Sequence, residues 1–103
     1  MIIKIIGPRR SGKTTALSEH IRRAQGCGLK VLLTAPTFSM ARNVESLGGF
    51  RVDMITTSTL LGIRGYHILA IDEGIDNVDV YLSKYGPVME PGFVTIVTGT
   101  PRI

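Results

Sequence analysis

A glycine-bounded loop joins an apolar run to a helix-forming stretch at the start of this chain, and no other feature limits the fold as much. Residues 7–14 read Gly-Pro-Arg-Arg-Ser-Gly-Lys-Thr, a complete G-x-x-x-x-G-K-[ST] pattern. Ile2-Ile3-Lys4-Ile5-Ile6 before it reads as a buried strand, and Lys13 to Gln25 after it reads as a helix. Gly7 and Gly12 let the backbone curl with its N–H groups turned inward. The stretch Gly7, Pro8, Arg9, Arg10, Ser11, Gly12, Lys13, Thr14 and Thr15 is then a cradle for the phosphates of a nucleotide, closed by a helix N-terminus. Lys13 is expected to reach the β- and γ-phosphates, and the Thr14 hydroxyl to ligate Mg²⁺.

The 103 residues suffice for a single domain, 1–103, and not two. The apolar runs are far too short to cross a bilayer, so no membrane partner is expected. Met1 leads straight into a strand without the layout of a signal peptide. A single cysteine, Cys27, excludes an internal disulfide and a cysteine-rich zinc site, which fits a reducing cytoplasm, that of the host if the chain is viral. The formal charge of +4 is mild and its twelve basic residues are dispersed. That balance permits contact with nucleic acid without requiring it.

Apolar strand-like runs alternate with helical stretches, the pattern of an α/β domain built on a parallel sheet. Leu29–Thr34 reads as the second strand, and Ser39–Leu47 as a short helix with Ser39 as its N-cap. Arg51–Thr56 reads as a third strand, Thr59–Ile63 as one helical turn and His67–Ile71 as a buried strand. Asp76–Lys84 reads as a helix, followed by a loop holding Pro87 and Pro91, and Phe93–Thr98 as the last strand. Strands this continuously apolar imply helices on both faces of the sheet.

The run Ile68-Leu69-Ala70-Ile71 stops at two carboxylates, Asp72 and Glu73. A nucleotide site needs that chemistry opposite its phosphate loop: Asp72 to hold Mg²⁺ through water, Glu73 to polarise the attacking water. Adjacent residues point in different directions, so two roles are sterically reasonable. Thr98 and Thr100 flank Gly99 at the end of the last strand, where ligands sit in an open parallel sheet; either is a candidate to place a hydroxyl near the γ-phosphate or the attacking water, and by themselves they read as an ordinary strand-ending turn.

The ordered set resembles a known family. Gly7–Thr14 resembles Walker A, and Ile68–Glu73 resembles Walker B with its catalytic glutamate. Thr34-Ala35-Pro36-Thr37, with Ser39, Ala41 and Arg42, resembles the motif after the second strand of helicases and viral DNA-packaging terminases. Ile55–Gly62 resembles the Thr-x-x-x-Leu segment of superfamily 1 DNA helicases, and Thr98–Pro101 the coupling motif of terminase large subunits, whose Walker A carries an arginine where Arg9 stands. The resemblance implies a three-layer P-loop NTPase of the RecA-like, additional-strand type, with a mostly parallel four- or five-stranded sheet. It implies an ATP- and Mg²⁺-dependent hydrolase coupled to DNA handling. By carry-over, Lys13, Thr14, Asp72 and Glu73 bind and hydrolyse ATP. Arg9 stabilises γ-phosphate charge, and Thr98 and Thr100 sense hydrolysis. Thr37, Ser39, Arg42 and Thr59 fall where helicases touch the DNA backbone; as bare residue types they read as caps and turn hydroxyls.

A helicase continues into a second RecA-like domain and a terminase into a nuclease domain. Neither is in these residues, so the resemblance is to a minimal ATPase core, phage-encoded or one part of a larger assembly, with any arginine finger expected from a second copy or a larger motor assembly. Two other readings stay open. Ile6-Gly7-Pro8, Ser11-Gly12-Lys13 and Ile71-Asp72-Glu73-Gly74 also resemble thymidine kinase, where Glu73 would activate a sugar hydroxyl. The third is a module that binds nucleotide without hydrolysing it.

Overall fold

The computed structural model describes residues 1–8, 12–54 and 65–100. Within them, four full strands form an all-parallel sheet: β1 (Ile2–Ile6), β2 (Val31–Thr34), β4 (Tyr66–Ile71) and β5 (Met89–Gly99). A two-residue strand, β3 (Asp53–Met54), extends the sheet beside β2. The spatial order is β1-β5-β4-β2-β3, so the last strand in the chain lies between the first and the fourth.

Three helices cover this sheet: α1 (Lys13–Gly26), α2 (Phe38–Gly48) and α3 (Val78–Tyr85). Leu17, Ile21 and Ala24 of α1 and Ala41 and Val44 of α2 pack with Val31, Leu33, Ile68, Ala70 and Ile96 on one face. The other face buries Leu32, Leu69, Ile71 and Val97 against Tyr81, Leu82 and Tyr85 of α3. The central strands are therefore covered twice, which is why every residue of β2 is buried and why Val-Leu-Leu-Thr shows no alternation.

β1 departs from the expectation of a buried strand. Its residues alternate between exposed and half-buried, because it lies at an edge and only its α1 face is covered. Ile3 and Ile5 pack inward, while Ile2 and Ile6 do not. An apolar run alone cannot tell one covered face from two.

The capping of α2 also differs. The Thr37 hydroxyl accepts from Met40 N at 3.2 Å and the helix begins at Phe38, so the N-cap is Thr37, two residues before the expected Ser39. The expected helix at 76–84 opens with a 3₁₀ turn, Ile75–Asn77, before α3. β5 starts four residues early. Met89 pairs with Tyr66, the register then slips, and regular pairing resumes at Val94 opposite Ile68. Pro91 lies in the slipped stretch, where no ladder donor is required of it. The helical turn expected at 59–63 and part of the strand expected at 51–56 lie outside the described residues.

Candidate nucleotide site

All strands run the same way, so Gly7, Thr34, Asp72 and Gly99 come to one end of the sheet. β5 carries the threonines between the loop that follows β1 and the carboxylates that follow β4. Gly7 N donates to Gly99 O at 3.2 Å, Asp72 N to Thr34 O at 2.9 Å and Gly74 N to Thr98 O at 3.0 Å, which extends the ladders into the site. A Cβ at Gly99 would collide with Ile75, so the residue between the two threonines must be glycine for the 3₁₀ turn to pack over it.

The entrance of α1 is formed by glycine backbone. Gly12 caps α1 at φ 83°, a conformation open to glycine and strained for other residues. Among the described residues no side chain caps the first turn and no acidic residue lies in it, and the first N–H groups of a helix have no partner within it.

Lys13 is only 7% exposed. Its ammonium donates to Gly7 O at 2.9 Å, Pro8 O at 3.2 Å and Thr100 Oγ1 at 2.8 Å, and lies 3.2 Å from Glu73 Oε1. Thr100 Oγ1 in turn approaches both Glu73 carboxylate oxygens at 3.3–3.4 Å. Charge and hydroxyl are thus arranged in a closed set spanning β1, α1, β4 and β5.

Asp72 is buried and Thr98 is fully buried beside it. The Thr98 hydroxyl donates to Asp72 Oδ1 at 2.8 Å and accepts from Glu73 N at 2.9 Å. One hydroxyl therefore orients the first carboxylate and pins the backbone of the second. That backbone needs pinning, because Glu73 has φ 54°, the left-handed region, which costs a residue with a Cβ roughly 1–2 kcal/mol. Burial raises the pKa of Asp72 above the ordinary 3.8, and the Glu73 charge adds to it. Hydrogen bonds from Thr98 and Thr14 and the Lys13 charge act against the shift.

Asp72 and Thr14 are the side chains fit for a divalent cation: a buried carboxylate with the Thr14 hydroxyl near it. Among the described residues no three His, Cys, Asp or Glu side chains gather to hold a metal. That donor set suits Mg²⁺, which keeps waters and phosphate oxygens in its shell, and does not suit zinc.

Six residues singled out in the sequence thus meet at one place: Lys13, Thr14, Asp72, Glu73, Thr98 and Thr100. Gly7, Pro8, Gly12 and Thr15 lie along the same loop and turn, while Arg9, Arg10 and Ser11 lie outside the described residues, as does Thr59. Thr37 and Ser39 are exposed at the N-terminal end of α2. Arg42, a turn further on, lines an open groove of about 980 Å³ that extends to Gly28, Lys30, Gly49 and Arg51, away from the carboxylates. What the sequence did not reveal was the double use of Thr98. Its hydroxyl is committed to Asp72 and Glu73 within the protein, a role that depends on the strand order. No protein-family model matches this chain, and a search of curated proteins finds no similar sequence.

Proposed function

We propose that this chain is a P-loop domain that binds ATP and hydrolyses it with Mg²⁺, in the service of DNA handling. The observation that carries the reading is the convergence of Lys13, Asp72, Glu73, Thr98 and Thr100 beside an uncapped helix N-terminus. The order β1-β5-β4 supports the additional-strand type, since a strand lies between the loop strand and the carboxylate strand. The two covered faces agree with a three-layer arrangement.

The Lys13 ammonium neutralises charge on the β- and γ-phosphates, and the N–H groups of the first turn hold their oxygens. Mg²⁺, bound through Asp72 and Thr14, supplies charge neutralisation at the phosphates. Glu73 accepts a proton from the attacking water as its oxygen bonds to the γ-phosphorus and ADP departs with the bridging oxygen. Thr100 touches both Lys13 and Glu73, so it is placed to respond when phosphate draws the lysine away. Coupling to DNA rests on the motif resemblance; the exposed Thr37, Ser39 and Arg42 at the head of α2 are its candidates on the described surface.

Phosphate release with Mg·ATP, alone and with single- or double-stranded DNA or deoxythymidine, tests the proposal. Mg²⁺-dependent release stimulated by DNA is the expected result. Phosphorylated deoxythymidine would instead make the chain a nucleoside kinase. Tight ATP binding with no release or transfer would leave a binding module and sink the hydrolase reading.

A further inference from the structure

Among the described residues β1 is an edge strand with an open side. Thr95 N donates to Met1 O and Gly7 N to Gly99 O, and the parallel register between them pairs Ile3 with Ile96 and Ile5 with Thr98. In such a ladder alternate residues turn their N–H and C=O toward the neighbour. The odd residues of β1 therefore face β5, and Ile2, Lys4 and Ile6 present their backbone groups outward. The same three side chains share one face. Among the described residues that face is uncovered, because the cluster packed under α3 contains no residue of β1. Ile2 is 43% exposed and Ile6 53%, with exposed Lys4 between them.

We propose that the free edge of β1 receives an extended strand from another polypeptide, in which an acidic residue lies between two apolar ones at every second position. The main chain of that strand would complete the outward N–H and C=O groups of Ile2, Lys4 and Ile6. Its apolar residues would cover Ile2 and Ile6, and its carboxylate would face Lys4. A second copy of this chain fits poorly. Antiparallel pairing over the full strand sets Ile2 against Ile6 and Lys4 against Lys4, and like charges directly opposite are unfavourable. A lysine on an edge deters self-pairing, and here the same charge selects an acidic partner.

The test uses two fluorescein-labelled peptides, serine-flanked Ile-Thr-Glu-Thr-Ile and its counterpart with lysine at the centre, titrated into the whole protein. The glutamate peptide is expected to bind several-fold to about tenfold more tightly. Lys4→Glu, an exposed substitution, is expected to reverse the preference while circular dichroism stays native. Amide exchange at Ile2, Lys4 and Ile6 is expected to slow on binding, with Ile3 and Ile5 unchanged. Equal affinity for both peptides, no binding of either, or protection elsewhere would overturn the proposal. So would a concentration-dependent dimer that protects those three amides without peptide.

Discussion

The two ends of the sheet use their polar side chains in opposite ways. At the carboxyl end, Lys13, Asp72, Glu73, Thr98 and Thr100 bond to one another across α1 and the ends of β4 and β5. At the amino end, three side chains each bond to a backbone group of another segment. Gln25 Nε2 donates to Arg51 O at 2.7 Å, Glu45 Oε2 accepts from Val52 N at 3.0 Å, and His67 Nδ1 accepts from Lys30 N at 3.0 Å. The groove of about 980 Å³ lies on the side of Gln25, Glu45 and Arg51, which line it. The proposed site is therefore marked by the convergence of buried, charged groups and not by open volume.

The largest expected effect separates the two ends outright. Lys13→Ala removes the charge that meets the phosphates and should cut ATP turnover by about a thousandfold or more. Arg51→Ala, whose exposed side chain lines the groove, should leave turnover within about twofold. Equal losses from both would erase the distinction. Glu73→Gln comes next: hydrolysis should fall by about 10²–10⁴-fold while nucleotide binding persists, read by phosphate release and equilibrium binding. Unchanged hydrolysis would remove Glu73 from the reaction.

Thr98→Val sharpens the comparison within the upper end. It leaves a buried carboxylate oxygen and the Glu73 N–H without their partner, a loss of about 1–3 kcal/mol in denaturant unfolding. As a positioning residue, Thr98 should lower kcat more than it raises KM, and Thr98→Ser should restore both. A stability loss with normal kcat would make the threonine merely structural.

The smallest effect is a gain. The raised pKa of Asp72 means that the folded protein binds its proton more tightly than the unfolded chain does. This group's contribution to stability is then greatest below 3.8 and declines as pH rises through the raised folded value. Asp72→Asn should thus raise the melting temperature at neutral pH by about a few degrees, while abolishing Mg²⁺-dependent turnover. The gain should shrink as pH falls through that window. A gain that grew toward acid pH would contradict the burial argument.

Much of the carboxyl end was legible because its charged residues sit in short runs. Gly7–Thr14 and Asp72-Glu73 single out Lys13 and the carboxylate pair without any knowledge of the fold, and the fold brings Lys13 to Glu73. The role of Thr98 was not legible, since it depends on β5 lying between β1 and β4, a non-local fact. The edge position of β1 was hidden for the same reason: Ile-Ile-Lys-Ile-Ile looks alike whether one face or two are covered. Thr37 and Ser39 both carry hydroxyls two residues apart, and only the bond to Met40 N decides which one caps α2. Pro91 made the start of β5 look like a loop, although Met89 already pairs with Tyr66.

The most direct test of the account is a titration of ¹⁵N-labelled protein with Mg²⁺ and a non-hydrolysable ATP analogue, followed by amide chemical shifts. The account predicts saturable shifts at Gly12, Lys13, Thr14, Glu73 and Gly99, with Phe50 and Val52 at the other end unmoved. Shifts confined to Phe50, Val52 and their neighbours, or no saturable shifts at all, would contradict it.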